Sequence, residues 1–142
     1  LNCDISLHFR IGDYKNIQDC HPVCDIEYYK KALCNFEESS KVLYFFEEAD
    51  RIAVDEKVKE LKEYFPKMEF IPINTNIVDY EQVFIMSGFK NFVIANSTFS
   101  WWGAYLSDIK DKKVFYPSKW FGERLQDKKV DDLFFEDWIK IY

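Results

Sequence analysis

Five short apolar runs, alternating with segments of helical period, constrain this chain more than any other feature. Ile5-Ser6-Leu7-His8-Phe9, Val42-Leu43-Tyr44-Phe45-Phe46, Met68 to Ile73, Asn91-Phe92-Val93-Ile94-Ala95 and Lys113-Val114-Phe115-Tyr116 are each of strand length. Between them, Ile26 to Glu37 sets Tyr29, Leu33 and Phe36 on one face behind a capping Asp25. Val54 to Phe65 turns Val58, Leu61 and Phe65 inward and its Lys and Glu outward. Asp79 to Ser87 and Ser97-Thr98 through Leu106 complete the helices, residues 10–24 read as a loop, and Leu133 to Tyr142 is expected to pack back as a helix. Strands alternating with helices predict an α/β fold, a three-layer Rossmann-like parallel sheet of about five strands. Ligands of such sheets sit at the carboxyl ends of the strands, where helices begin.

The length of 142 residues fits one domain, 1–142, and suffices to bury a core. A net charge of −6 argues against nucleic-acid partners, which need many unopposed cations, yet leaves room for one local basic site. No apolar run is long enough to span a membrane. Leu1-Asn2-Cys3-Asp4 has neither an initiator Met nor a signal pattern, so the chain is expected to be a fragment of a longer protein. That reads as cytoplasmic, with membrane association only through parts not present here. Cys20-His21-Pro22-Val23-Cys24 brings one cysteine pair and one histidine together. Structural zinc is usually held by four ligands, so unpaired thiols or one local disulfide is the expectation, and no metal.

Two segments fall at the ligand-binding edge. The first is His8-Phe9-Arg10-Ile11-Gly12-Asp13-Tyr14. A guanidinium offers phosphate a planar fork, and Gly12 allows close backbone approach. Read alone, its spacing favours a surface Arg10–Asp13 pair beside a structural turn glycine. It is not a P-loop, having no Gly-Lys-Ser/Thr. The second is Ala95-Asn96-Ser97-Thr98-Phe99-Ser100-Trp101-Trp102-Gly103. Its hydroxyls meet a helix N-terminus, whose amides and dipole favour an anion. Read alone, it is ordinary N-capping. Asn96-Ser97-Thr98 also matches a glycosylation sequon, but at an apolar strand-to-helix junction expected to be buried.

Together the segments resemble a known family. His8-Phe9-Arg10-Ile11-Gly12-Asp13-Tyr14 resembles the H-x-R-R-G-D-Y motif of the alpha-1,2-fucosyltransferases, glycosyltransferase family 11. Asn96-Ser97-Thr98-Phe99-Ser100-Trp101-Trp102-Gly103-Ala104-Tyr105-Leu106 is similar to that family's N-S-T/S-F-S-W-W-G-A-W-L block. Glu81-Gln82-Val83-Phe84-Ile85-Met86-Ser87 resembles the helix before the block, and the likeness runs from about Ile5 to Trp120. The family's usual second Arg is Ile11 here.

The resemblance implies the C-terminal, nucleotide-sugar-binding half of a two-domain GT-B enzyme. Such enzymes transfer L-fucose from GDP-fucose to a galactoside hydroxyl in alpha-1,2 linkage, inverting the anomeric carbon without metal or other cofactor. Nucleotide sugar donor and carbohydrate acceptor are the implied partners. Arg10 would bind the diphosphate, with Asp13 a candidate base by proximity. His8, Gly12, Asn96, Ser97, Thr98 and Phe99 would line the donor site. Glu81 or Asp79 would receive the guanine amino group. Of Trp101 and Trp102, which point about 100° apart on a helix, one would face the ligand and the other the core. A non-catalytic nucleotide-sugar or carbohydrate-binding module of the same fold is the alternative. A generic dinucleotide binder ranks below both, for want of G-x-G-x-x-G.

Overall fold

A computed structural model describes residues 2–142; Leu1 lies outside the described residues. The elements in chain order are β1 (Ile5–His8), α1 (Ile26–Leu33), β2 (Lys41–Phe45), α2 (Arg51–Tyr64), β3 (Glu69–Pro72), α3 (Asp79–Ser87), β4 (Asn91–Val93), α4 (Thr98–Leu106), β5 (Lys113–Pro117) and β6 (Ile139–Ile141). The strands form one sheet in the order β3-β2-β1-β4-β5-β6, every neighbouring pair parallel. Right-handed crossovers put α1 and α2 on one face and α3 and α4 on the other, the three-layer α/β arrangement expected of the alternating pattern. Central strands are therefore buried on both sides, and all four residues of β1 are buried. Phe9, Tyr29, Phe45, Phe92 and Phe115 are fully buried in the core between the layers.

Local chemistry sets the helix starts. Asp25 accepts the Tyr28 amide at 2.9 Å and begins α1. Ser97 accepts the Phe99 amide at 3.3 Å and begins α4. Gly103 lets α4 approach α3, because a Cβ there would lie 2.3 Å from Met86 Sδ.

Two expectations are corrected. The sheet has six strands, since the C-terminal segment is not a helix: Asp131–Leu133 form a 3-10 turn and Ile139–Ile141 pair with β5. Ile-Lys-Ile is short and β-branched, and the open edge of β5 offers it a ladder that a one-turn helix would lack. The loop at 10–24 also contains a 3-10 turn, Gly12–Asn16. The tryptophans also sit otherwise than expected. Ser100, Gly103 and Ala104 are the buried residues of α4, so the close α3–α4 packing leaves no room for an indole against the sheet. Trp101 is half-buried under the C-terminal segment, donating Nε1–H to the Leu133 carbonyl at 2.7 Å and packing near Trp138. Trp102 is 48% exposed.

Candidate functional site

The crossovers reverse direction between β1 and β4, which lie side by side at the sheet centre. Such a switch point opens a crevice beyond the strand ends. The Arg10 segment leaves β1 and the Ser97 segment leaves β4 there. A cleft of about 360 Å³ is lined by His8, Arg10, Phe46, Glu47, Glu48, Thr75, Asp79, Gln82, Ser97 and Phe99.

Arg10 is the cation of this cleft. Its Nη2 donates to Asp13 Oδ1 at 2.7 Å and its Nη1 to Glu47 Oε1 at 3.2 Å. The guanidinium lies 4.5 Å from the centre of the Tyr14 ring. Tyr14 in turn donates its hydroxyl to the Asn96 carbonyl at 3.2 Å, tying the β1 loop to the β4 loop. Gly12 is required twice: its φ is +39°, and a Cβ would fall 2.3 Å from Arg10 Nη1. Both carboxylates on Arg10 are largely exposed, 70% for Asp13 and 64% for Glu47, so a more highly charged anion can replace them.

His8 is buried at 5% exposure, with its ring 5.1 Å from Phe99. Its backbone carbonyl accepts the Tyr29 hydroxyl at 2.9 Å. Nδ1 lies 2.9 Å from Ser100 Oγ, which also accepts the Ala95 amide at 3.2 Å. His8 Nδ1 is the one acceptor within hydrogen-bond reach of the Ser100 hydroxyl proton among the described residues, so that proton goes to Nδ1, which leaves the imidazole proton on Nε2. No buried side-chain nitrogen or oxygen among the described residues lacks a partner, so Nε2 opens to the cleft. Burial, and secondarily the Arg10 charge, lower the His8 pKa to about 3. His8 is therefore a neutral N–H donor at ordinary pH. Ser97 accepts from the Phe99 amide and keeps its own hydroxyl proton for the cleft.

The acidic side has three carboxylates in different states. Glu48 is gripped by the Arg51 guanidinium at 2.6 and 2.7 Å and by the Thr75 hydroxyl at 2.6 Å, which hold its pKa down to about 2. Glu47 is on Arg10, and Asp79 is exposed at the rim. Gln82 is buried one turn after Asp79, its Nε2 donating to the Ile77 carbonyl at 2.7 Å.

The geometry thus brings His8, Arg10, Ser97 and Phe99 together, with Gly12 as the seat of Arg10. Other expected residues stand elsewhere. Asp13 is the counter-ion of Arg10 and does not line the cleft. The Asn96 amide is spent on the Pro22 and Trp120 carbonyls at 2.8 and 3.2 Å, and its Oδ1 accepts the Cys24 thiol. Asn96 is buried, as expected of that junction. Thr98 lies on the outer groove between α3 and α4; of the two expected carboxylates on α3, Glu81 is exposed off the cleft, whereas Asp79 lines it, as does Gln82. Phe46, Glu47, Glu48, Thr75 and Gln82 were not singled out in the sequence. The first four directly follow β2 and β3, so the rule that ligands meet strand ends would have found them.

All four cysteines are free thiols, and burial pushes the Cys24 thiol up to about 11. His21 stacks on Tyr14 at 4.9 Å. No cluster of three or more His, Cys, Asp or Glu among the described residues is placed to hold a metal ion. Among them, too, no helix is long and apolar enough to cross a membrane.

Comparison with known proteins agrees with the motifs. Residues 2–142 match the family described as Glycosyl transferase family 11. The chain is 33% identical over 141 residues to an O-antigen biosynthesis glycosyltransferase, WbnK, of Escherichia coli, covering 96% of this chain and 44% of that protein. It is 35% identical over 141 residues to an alpha-1,2-colitosyltransferase of Escherichia coli, covering 96% of this chain and 47% of that protein. The chain therefore spans about half the length of the curated relatives it matches. No solved structure gives a significant match. Match and motifs together place this chain in glycosyl transferase family 11.

Proposed function

We propose that this chain is the donor-binding domain of an inverting glycosyltransferase that takes GDP-fucose and transfers L-fucose to a galactoside hydroxyl in alpha-1,2 linkage. One observation carries the reading: Arg10, the His8 Nε2–H, the Ser97 hydroxyl and the N-terminus of α4 converge on one cleft at the switch point. That is a donor set for a diphosphate. When the acceptor hydroxyl attacks the sugar C1, the bond from C1 to the diphosphate oxygen breaks and negative charge grows on GDP. Preoriented donors stabilise that charge without rearranging, and one such donor is worth about 2.7–4 kcal/mol of barrier. Arg10 then does what a divalent cation does elsewhere, and no metal is required. Asp13 and Glu47 hold Arg10 in place until the diphosphate replaces them. The acceptor proton passes to a base supplied by the acceptor-binding part of a longer enzyme. Asp79 and Gln82, one helical turn apart at the cleft, suit a base rich in N–H donors, as guanine is.

Two other readings have specific support. Colitose competes with fucose as the sugar, because one relative is an alpha-1,2-colitosyltransferase. A non-catalytic nucleotide-sugar-binding module is supported by Ile11, a buried apolar residue in the slot of the family's second Arg. The test is calorimetric titration with GDP, GDP-fucose, GDP-mannose and UDP-galactose, with and without EDTA. Guanosine nucleotides should bind with or without chelator. Preference for UDP-galactose, or loss of binding in EDTA with recovery in manganese, would reject the donor-site reading. Incubating a longer protein that also carries the acceptor-binding part with GDP-fucose and lactose separates enzyme from module: the enzyme releases GDP, whereas the module binds and releases none.

A further inference from the structure

Asp50 occupies the capping position of α2, where an aspartate ordinarily accepts an amide of the first turn. It makes no capping bond. Its Oδ2 crosses to the loop after β1 and accepts the Gly12 amide at 2.8 Å. Asp50 is 5% exposed, and among the described residues no Lys, Arg or His pairs with it. Burying a carboxylate without a cation is costly, and a charged acceptor on a backbone amide is among the stronger bonds that offset it.

What that bond fixes is the seat of Arg10. The guanidinium rests directly over Gly12, closer than any Cβ would allow, so the place of the Gly12 backbone bounds where the guanidinium can lie. The same four-residue turn after β2 also carries Glu47, whose Oε1 meets Arg10 Nη1. The two carboxylates differ in kind. Glu47 is exposed and holds the charge itself, so an incoming anion displaces it. Asp50 is buried and holds the backbone, so it stays when the anion arrives.

We propose that Asp50 is a positioning residue of the anion site, fixing Gly12 and through it the Arg10 guanidinium at the diphosphate; this rests on the donor-site reading above. The test compares wild type, Asp50→Ala and Asp50→Asn, the last keeping the shape and one oxygen acceptor. Each is titrated with GDP and with guanosine, which has no phosphate for Arg10. The Arg10 Nε–H resonance is recorded in the nucleotide-free, ¹⁵N-labelled proteins. Asp50→Ala should weaken GDP about tenfold, leave guanosine unchanged, and shift or broaden the Arg10 signal. Asp50→Asn should recover most of the GDP affinity and the wild-type signal. If Asp50→Ala fails to fold, Asp50→Asn still has to retain the Arg10 signal. Unchanged GDP affinity in Asp50→Ala, equal loss of GDP and guanosine, or an unmoved Arg10 resonance would each overturn the proposal. Should wild type bind no GDP, the donor-site reading falls, and the Arg10 resonance alone decides the role of Asp50.

Discussion

Acid should destabilise this protein through His8, well above the pH at which the folded chain protonates it. The His8 pKa is lowered from 6.5 to about 3 by burial and by Arg10. The unfolded chain then binds a proton that the folded chain refuses. Stability is full above about pH 6.5, declines as pH falls, and stops responding to His8 near pH 3. Between pH 7 and pH 5 the loss works out at about 2 kcal/mol, or about 5–8 °C in melting temperature for a chain of this size. Glu48, whose pKa is also lowered on folding, adds little in that window, because it starts from 4.5 when unfolded. The assay is urea unfolding at pH 7, 6 and 5 for wild type and His8→Gln. His21 is common to both proteins, so the difference in slope isolates His8. The variant should start less stable, having lost the Ser100 contact, but its stability should change little over this range. Equal slopes in the two proteins would refute the neutral, buried histidine, and with it the Nε2–H donor at the cleft.

Arg10→Ala should weaken GDP binding by about 1.5–3 kcal/mol. It should cost under about 1 kcal/mol of stability, because its partners Asp13 and Glu47 are exposed; calorimetry with thermal melting checks both. Gly103→Ala should destabilise by about 1–3 kcal/mol in denaturant unfolding, since its methyl meets buried Met86. Trp101→Phe should cost about 1 kcal/mol and speed hydrogen exchange in the C-terminal segment, through loss of the bond to Leu133.

The sheet was legible because parallel strands buried on both faces leave continuous apolar runs, as in β1 and β2. The C-terminal strand was not, because Ile139–Ile141 is three residues long and takes its conformation from pairing with β5. Motif spacing located the cleft through Arg10 and Ser97, which the strand order brings to one edge. It did not tell which side of a loop each side chain takes. Asn96 and Thr98 flank Ser97, yet one is drawn under the loop by Pro22 and Trp120 and the other points outward. Of the expected pair Asp79 and Glu81, Asp79 lines the cleft with Gln82 and Glu81 does not, because Asp79 and Gln82 are one turn of α3 apart and share a face. The roles of Glu47 and Asp50 depend on contacts across 37 and 38 residues, which no local pattern encodes.

The most direct test of the cleft as a donor site is a crystal structure of this chain with GDP. The diphosphate should lie within hydrogen-bond reach of Arg10, His8 Nε2 and the Ser97 hydroxyl, with Asp13 and Glu47 turned away from the guanidinium and Asp50 still on the Gly12 amide. GDP bound on another edge of the sheet, or bound with Arg10 still paired to Asp13 and Glu47, would contradict the donor-site reading.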